Sequence, residues 1–173
     1  MTLQIKNELE EPSMELKLIP AYEHHQEIVT LFTEYTDMLL RIDQTFSRYL
    51  DIQNYDQELQ HPEEKYALPN GRLYLAYWDD QLAGCIALRQ LDETRCELKR
   101  LYVRPQFRGH RIGEALVRRL IDDARQIGYR HMLLDSLPPL RTAVSLYREV
   151  GFYDIPCYND SPGNTTIFLQ YDL

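Results

Sequence analysis

The chain has 173 residues, of which 44% are hydrophobic and 27% charged, and this fits one globular domain with a sizeable core. No apolar run approaches the roughly 18 residues that a membrane helix needs, and residues 1–12 lack the apolar stretch of a secretory signal, so we expect a cytoplasmic protein. The net charge of −8 disfavours general nucleic-acid binding, which depends on broad basic surfaces.

The N-terminal part is predicted to begin with a flexible leader, residues 1–13, before a single domain that spans residues 14–173. An alternating run then predicts a strand, and apolar residues spaced by three and four predict a helix. A second, weaker helical stretch follows and is interrupted at Pro62. In chain order these elements are residues 15–19, 22–40 and 43–60.

Three strands with short connections follow, which is typical of an antiparallel meander. Turn residues separate them, such as Pro69-Asn70-Gly71 and Asp79-Asp80. The predicted strands are residues 73–78, 81–90 and 95–103.

The clearest predicted element is an amphipathic helix over residues 112–127, with Gly128 just past its end, where a left-handed cap favours glycine. A strand follows it, so the helix would cross over between parallel strands. The remaining elements are a strand at 130–135, a helix at 140–150 and a final strand at 165–171. The order β-α-α-β-β-β-α-β-α-β predicts an α/β (α+β) fold with a mixed sheet and helices on both faces.

A basic turn joins the third meander strand to this helix. Residues 95–119 carry eight Lys and Arg against two Glu, and the turn itself holds Arg104, Arg108 and Arg111. Free N–H groups and a positive helix end attract anions, so the turn predicts a site for a phosphorylated ligand. The alternative is an ordinary strand-turn-helix connection with solvated arginines.

Two motifs resemble those of the GNAT superfamily of N-acetyltransferases, and the resemblance covers residues 14–173. Residues 108–113, Arg-Gly-His-Arg-Ile-Gly, resemble the acyl-CoA signature Arg/Gln-x-x-Gly-x-Gly/Ala, with Arg111 where glycine is usual. Residues 143–152 resemble the helix end Leu-Tyr-x-x-x-Gly-Phe, with Leu140 where the family often has asparagine.

The resemblance implies a GNAT-like acyl-CoA N-acyltransferase fold and transfer of an acetyl group from acetyl-CoA to a primary amine of a small molecule or peptide by direct attack. The alternative is a non-catalytic acyl-CoA sensor on the same fold. It also implies a possible homodimer, formed through the last strands. The expected CoA-binding residues are Leu101, Tyr102, Val103, Arg108, Gly109, His110, Arg111, Ile112, Gly113 and Glu114.

By the same resemblance, Tyr147 is the predicted general acid that protonates the leaving thiolate, since a phenol is protonated at neutral pH. The alternative for Tyr147 is a core aromatic. Glu97, on the strand before the basic turn, is the predicted base, or else a carboxylate paired with a neighbouring cation. Asp135 and Glu34 remain as other candidates for the base.

The acceptor is expected to meet residues 32–51 and 156–164, which are rich in acids and tyrosines and would suit a cationic amine. Alternatively, Arg41 and Arg48 would receive an amino acid's carboxylate. The five histidines show no metal-ligand spacing and the three cysteines no CxxC motif, so we expect no metal and free thiols.

Overall fold

The computed structural model describes residues 14–52, 54–162 and 164–173, so the predicted leader lies outside the described part of the chain. Its strands are β1 (Leu16–Pro20), β2 (Arg72–Trp78), β3 (Gln81–Gln90), β4 (Arg95–Val103), β5 (His131–Ser136), β6 (Tyr153–Asp154) and β7 (Ile167–Asp172). Its helices are α1 (His25–Ile42), α2 (Ser47–Ile52), α3 (Tyr55–Gln60), α4 (Pro62–Lys65), α5 (Ile112–Ile127) and α6 (Arg141–Val150). Short 3₁₀ turns occupy Gln44–Phe46 and Pro105–Phe107.

The strands form one mixed seven-stranded sheet in the order β1-β2-β3-β4-β5-β7-β6. The pairs from β1 to β4 are antiparallel, which confirms the predicted meander. Helix α5 then crosses over, and β5 lies parallel to β4, as its position between two strands predicted. Strands β5, β7 and β6 continue the sheet in antiparallel pairs.

Helices cover both faces of the sheet, so the protein has two apolar cores. On one face α5 and α6 pack on the sheet, and the buried stripe of α5 includes Leu116, Leu120 and Ala124. On the other face α1 packs through Ile28 and Phe32. A fully buried Leu, Ile or Phe side chain contributes about 1.5–3 kcal/mol, so these stripes hold each helix against the sheet.

Two segments differ from prediction. The stretch 43–60 is broken because the Asp43 side chain accepts a hydrogen bond from the Thr45 N–H at 2.9 Å, which starts a 3₁₀ turn. Asn54, with φ of 52°, then separates α2 from α3. Pro62 opens α4, because proline suits a first helical turn. The two-residue strand β6 was also not predicted.

A β-bulge interrupts β4 at Arg100. Cys85 faces Tyr102 and Ala87 faces Lys99, so one residue of β3 opposes two of β4. Arg100 itself has φ of 59°, in the left-handed region. As a result the side chains of Lys99 and Arg100 both point to the α1 side of the sheet, although the two residues are adjacent in a strand.

No helix in the described ranges is long and apolar enough to cross a bilayer.

Candidate active site

Strands β4 and β5 separate and leave one edge of β4 open. They pair only over residues 95–97 and 131–133. Residues 98–103 keep β3 on one side, and on the other side no strand of the described ranges pairs with them. Such an edge presents N–H and C=O groups that can pair with an extended, amide-bearing ligand.

A cavity of about 60 Å³, the enclosed cavity, lies where the two strands separate. Leu101, Tyr147 and Thr166 are among its lining residues. Within the described ranges, the buried Thr166 Oγ1 and the Tyr147 hydroxyl make no hydrogen bond. Buried polar atoms are seldom left without partners, so the enclosed cavity offers hydrogen bonds to a polar group of a ligand.

The basic turn between β4 and α5 has the backbone of an anion cradle. Gly109 has φ of 88°, and Arg111, where the signature usually has glycine, has φ of 58°. This conformation costs a non-glycine residue about 1–2 kcal/mol. It leads into the first turn of α5, where the N–H groups of residues 112–114 have no acceptor in the described part of the chain. These donors and the helix dipole favour a bound anion.

The residues expected to bind CoA differ in what they can offer. The side chains of Tyr102 and Ile112 are buried in opposite cores, so only their main chains can reach a ligand. Leu101 lines the enclosed cavity. Val103 accepts a hydrogen bond on its carbonyl oxygen from Arg108 Nε at 3.1 Å, so Arg108 lies against the open edge of β4.

Exposed side chains surround the N-terminus of α5. His110 stacks on Trp78, with ring centroids 4.6 Å apart. Glu114 lies between two cations, 2.7 Å from Arg111 Nη2 and 2.9 Å from Arg118 Nε. An incoming phosphate would therefore meet two arginines that already hold one carboxylate.

Two residues of the turn have a structural role instead. Arg104 was expected to face the anion, but it donates two hydrogen bonds to Glu34, at 2.7 and 3.0 Å. A Cβ at Gly113 would lie 3.3 Å from Leu146 Cδ2, so this glycine allows α5 to approach α6 closely. The Arg104 side chain is therefore held by Glu34, and Gly113 can offer a ligand only its main chain.

Gly109→Ala is expected to weaken CoA binding by roughly tenfold in calorimetry, because it disfavours the left-handed backbone that presents the donors. Gly128→Ala is the matched control, since Gly128 also has positive φ and open space around it but lies at the other end of α5. It should cost similar stability and leave CoA affinity unchanged. Equal affinities for both variants would refute the cradle.

Tyr147 lies on α6, both within the core and at the wall of the enclosed cavity. It packs against Phe152, with ring centroids 5.7 Å apart, and it also lines the enclosed cavity. Burial, helped by Tyr35 and by the negative charge of Asp135, raises the pKa of Tyr147 well above its usual range. The phenol therefore keeps its proton at neutral pH.

Glu97 is fully buried on β4 with both carboxylate oxygens in use. Arg89 Nε donates to Oε1 at 2.7 Å, and the Tyr158 hydroxyl donates to Oε2 at 2.6 Å. Lys99 Nζ is 3.8 Å away, whereas Arg95 pairs with Asp92 instead. Burial, together with the negative charge of Glu97, raises the pKa of Tyr158 well above its usual value, so Tyr158 remains a donor.

A second cavity, of about 520 Å³ and open to solvent, lies beside the enclosed one. Lys99, Asp135 and Ser161 line both cavities, and we call these three residues the neck. Glu97 lines the open cavity only. Two ligands could thus meet at the neck, one from each side.

Asp135 is the carboxylate of the neck. Its Oδ2 accepts hydrogen bonds from Asn159 Nδ2 at 2.9 Å and Ser161 Oγ at 3.0 Å, while Oδ1 has a longer contact with Lys99 Nζ at 3.5 Å. Burial acts to raise the pKa of Asp135, but the charge of Lys99 and these hydrogen bonds outweigh it and hold the pKa below its usual value. Asp135 is therefore ionised, and its Oδ1 can accept a hydrogen bond from a further donor.

A buried ionic cluster beside the open cavity was missed by sequence reasoning. Glu58 on α3 accepts two hydrogen bonds from Arg100, at 2.6 and 3.0 Å, and one from the Tyr66 hydroxyl. Lys65 Nζ lies 3.1 Å from the same carboxylate. One signal was present, because Lys99 and Arg100 are adjacent charges that break the alternation of a strand.

The acidic, tyrosine-rich wall predicted for the acceptor is dispersed. Asp43 caps a 3₁₀ turn and Asp37 lines a separate groove with Arg41. Asp160 lines the open cavity. Tyr35 and Tyr49 line the enclosed cavity, and Arg48 lines neither cavity.

Comparisons with known proteins agree with this geometry. The model of the acetyltransferase (GNAT) family matches residues 31–152. An uncharacterized N-acetyltransferase of Dictyostelium discoideum is 32% identical, over 92% of this chain and 100% of the relative. One of Schizosaccharomyces pombe is 36% identical, over 75% of this chain and 81% of the relative.

Among solved structures, the PaiA N-acetyltransferase of Thermoplasma acidophilum in complex with coenzyme A has the same fold. It gives a TM-score of 0.72 at 16% identity and covers 92% of this chain and 100% of that one. The family match, the two relatives and the shared fold lead to one conclusion: the chain belongs to the GNAT family of acetyltransferases.

Proposed function

We propose that residues 14–173 form one catalytic domain that transfers an acetyl group from acetyl-CoA to a primary amine. The observation that carries this is the meeting of two cavities at the neck beside the open edge of β4, a strand that leads through the basic turn to the free N–H groups of α5. Acetyl-CoA, when bound, supplies an activated acetyl thioester for attack by the amine nitrogen.

The residues present fit such a donor. The N–H groups of residues 112–114 and the left-handed turn at Gly109 would hold the diphosphate. The open edge of residues 98–103 would pair with the amides of the pantetheine arm. The Thr166 hydroxyl, which has no partner in the described ranges, would form a hydrogen bond with a polar group of the donor in the enclosed cavity.

Tyr147 is the proposed general acid. Its hydroxyl lines the enclosed cavity, stays protonated because burial raises its pKa, and is not engaged elsewhere in the described part of the chain. It would give its proton to the departing sulfur as the bond to the acetyl carbon breaks.

Two carboxylates are candidates to accept the proton that the attacking nitrogen loses. Glu97 is the residue that the sequence predicts, and it would act through the Tyr158 hydroxyl or a water, since both its oxygens are occupied. Asp135 is favoured by one observation: it lines both cavities, and its Oδ1 makes only a 3.5 Å contact with Lys99.

Asp135→Asn is expected to lower kcat roughly tenfold, with water carrying part of the proton flux in its place. Glu97→Gln is the matched comparison and should act mainly by loosening Arg89 and Tyr158. Single-turnover rates over pH 6–9 would separate the two. A larger loss of the chemical rate in Glu97→Gln than in Asp135→Asn would return the role to Glu97.

The function itself is tested by incubating the purified protein with acetyl-CoA and a panel of amines. We expect thiol release that depends on the acceptor, with the acetylated amine detected by mass spectrometry. CoA binding without any turnover would instead support an acyl-CoA sensor.

A further inference from the structure

The ion-paired side chains beside the open cavity carry one more positive than negative charge, with Arg100 lining the enclosed cavity and Arg89 partly exposed. Four cations are joined by ion pairs to three carboxylates. The cations are Lys65, Arg89, Lys99 and Arg100, and the carboxylates are Glu58, Glu97 and Asp135. The acids Glu64 and Asp160 also line the open cavity, but they are solvent-exposed, where water and salt screen them.

The excess charge falls on Lys65. Its nearest carboxylate, Glu58, is already neutralised by two hydrogen bonds from Arg100. Burial, together with repulsion from Arg100 and Lys99, lowers the pKa of Lys65 to about 8 although Glu58 opposes this. The ammonium group lacks a full counter-charge of its own.

The Arg89 guanidinium is a second group that could bind an anion. Only its Nε is engaged, by Glu97 at 2.7 Å, and within the described ranges Nη1 and Nη2 donate to no acceptor. Its side chain is 37% exposed and lines the open cavity. Planar guanidinium donors match the two oxygens of a carboxylate, and such charged hydrogen bonds are stronger than neutral ones.

From this charge pattern we propose that the acceptor is an amine that carries a carboxylate in the same molecule, that is, an amino acid, with its carboxylate bound by Lys65 and Arg89. The inference rests on the proposed function for the position of the amine. The ammonium group would lie at the neck, where the ionised Asp135 attracts it. A polyamine is disfavoured, because its second cation would meet Lys65 and Arg89.

The test compares L-amino acids with their amides, with amines that lack the carboxylate, and with spermidine, all with acetyl-CoA. In the wild-type protein we expect kcat/KM for the best amino acid to exceed that for its amide by roughly ten- to a hundredfold. Lys65→Gln and Arg89→Gln should bring this ratio close to one. Arg148→Gln, on the outer face of α6 and paired with Asp154, should keep it.

Arg89→Lys guards against misfolding of Arg89→Gln, because it keeps the charge and should recover part of the ratio. Turnover of amides or spermidine as fast as amino acids would overturn the inference and leave the proposed function intact. If no acceptor causes thiol release from acetyl-CoA, the carboxylate site is tested instead by the change in melting temperature on adding L-amino acids. A shift in wild type that is lost in Lys65→Gln would still support the carboxylate site, and no shift would refute it.

Discussion

Replacing Tyr147 by phenylalanine is expected to lower kcat by roughly 10- to 1,000-fold while the affinity for CoA stays within twofold of wild type. The expected loss is that of a general acid. Phenylalanine keeps the ring that packs on Phe152, and the lost hydroxyl has no hydrogen-bond partner in the described part of the chain. Stability should therefore hardly change.

The matched control for this substitution is Tyr153→Phe, which also removes one phenolic oxygen. Tyr153 is exposed on β6 and lines neither cavity, and its hydroxyl donates to Asp172. Steady-state rates and CoA calorimetry on both variants check the prediction. Full turnover in Tyr147→Phe would leave this tyrosine as a packing residue only.

Replacing Glu58 by alanine is expected to lower the free energy of unfolding by about 3–5 kcal/mol, because it leaves the guanidinium of Arg100 buried without its carboxylate. Glu58 is 4% and Arg100 6% exposed, so water cannot replace the lost partner. Urea denaturation measures the change. Asp80→Asn is the control, because Asp80 pairs with Lys17 at 2.8 Å on the surface, where such a pair adds little stability, and asparagine tolerates the positive φ of 61° at this position.

The same carboxylate should make stability depend on pH. Burial acts to raise the pKa of Glu58, but the hydrogen bonds and charge of Arg100, with Lys65 and Tyr66, outweigh it and lower the pKa to about 2. A lowered folded-state pKa means that the stabilisation is complete above pH 4.5 and is lost as the pH falls towards 2, by about 3 kcal/mol. Denaturation at pH 2–6 should show a steeper loss of stability in wild type than in Glu58→Gln, which keeps only the smaller slope from other carboxylates of lowered pKa, such as Asp92 and Asp135.

Local patterns in the sequence were enough to predict much of the fold and the position of the basic turn. The stripe of α5 and the glycine after it predicted that helix with both of its ends correct. The acyl-CoA signature placed the basic turn, and the crossover predicted the parallel pairing of β4 with β5. Each of these depends on residues that are close together along the chain.

The acceptor side could not be predicted, because its contacts join residues far apart along the chain. Arg100 meets Glu58 across 42 positions, and Tyr158 meets Glu97 across 61. No periodicity encodes such pairs, and the bulge at Arg100 shifted β4 out of simple alternation. The charges that line the open cavity became visible only once these segments were brought together.

The residues that would select the acceptor, Lys65 and Arg89, line only the open cavity, whereas Tyr147 lines the enclosed cavity and the turn at 104–111 lines neither. Substitutions that change acceptor binding can thus occur without any change to the residues that would bind acetyl-CoA. Relatives that share the turn can therefore differ in the acceptor they bind. A change in the charge of the residue on α4 or β3 would be the first sign of such a difference.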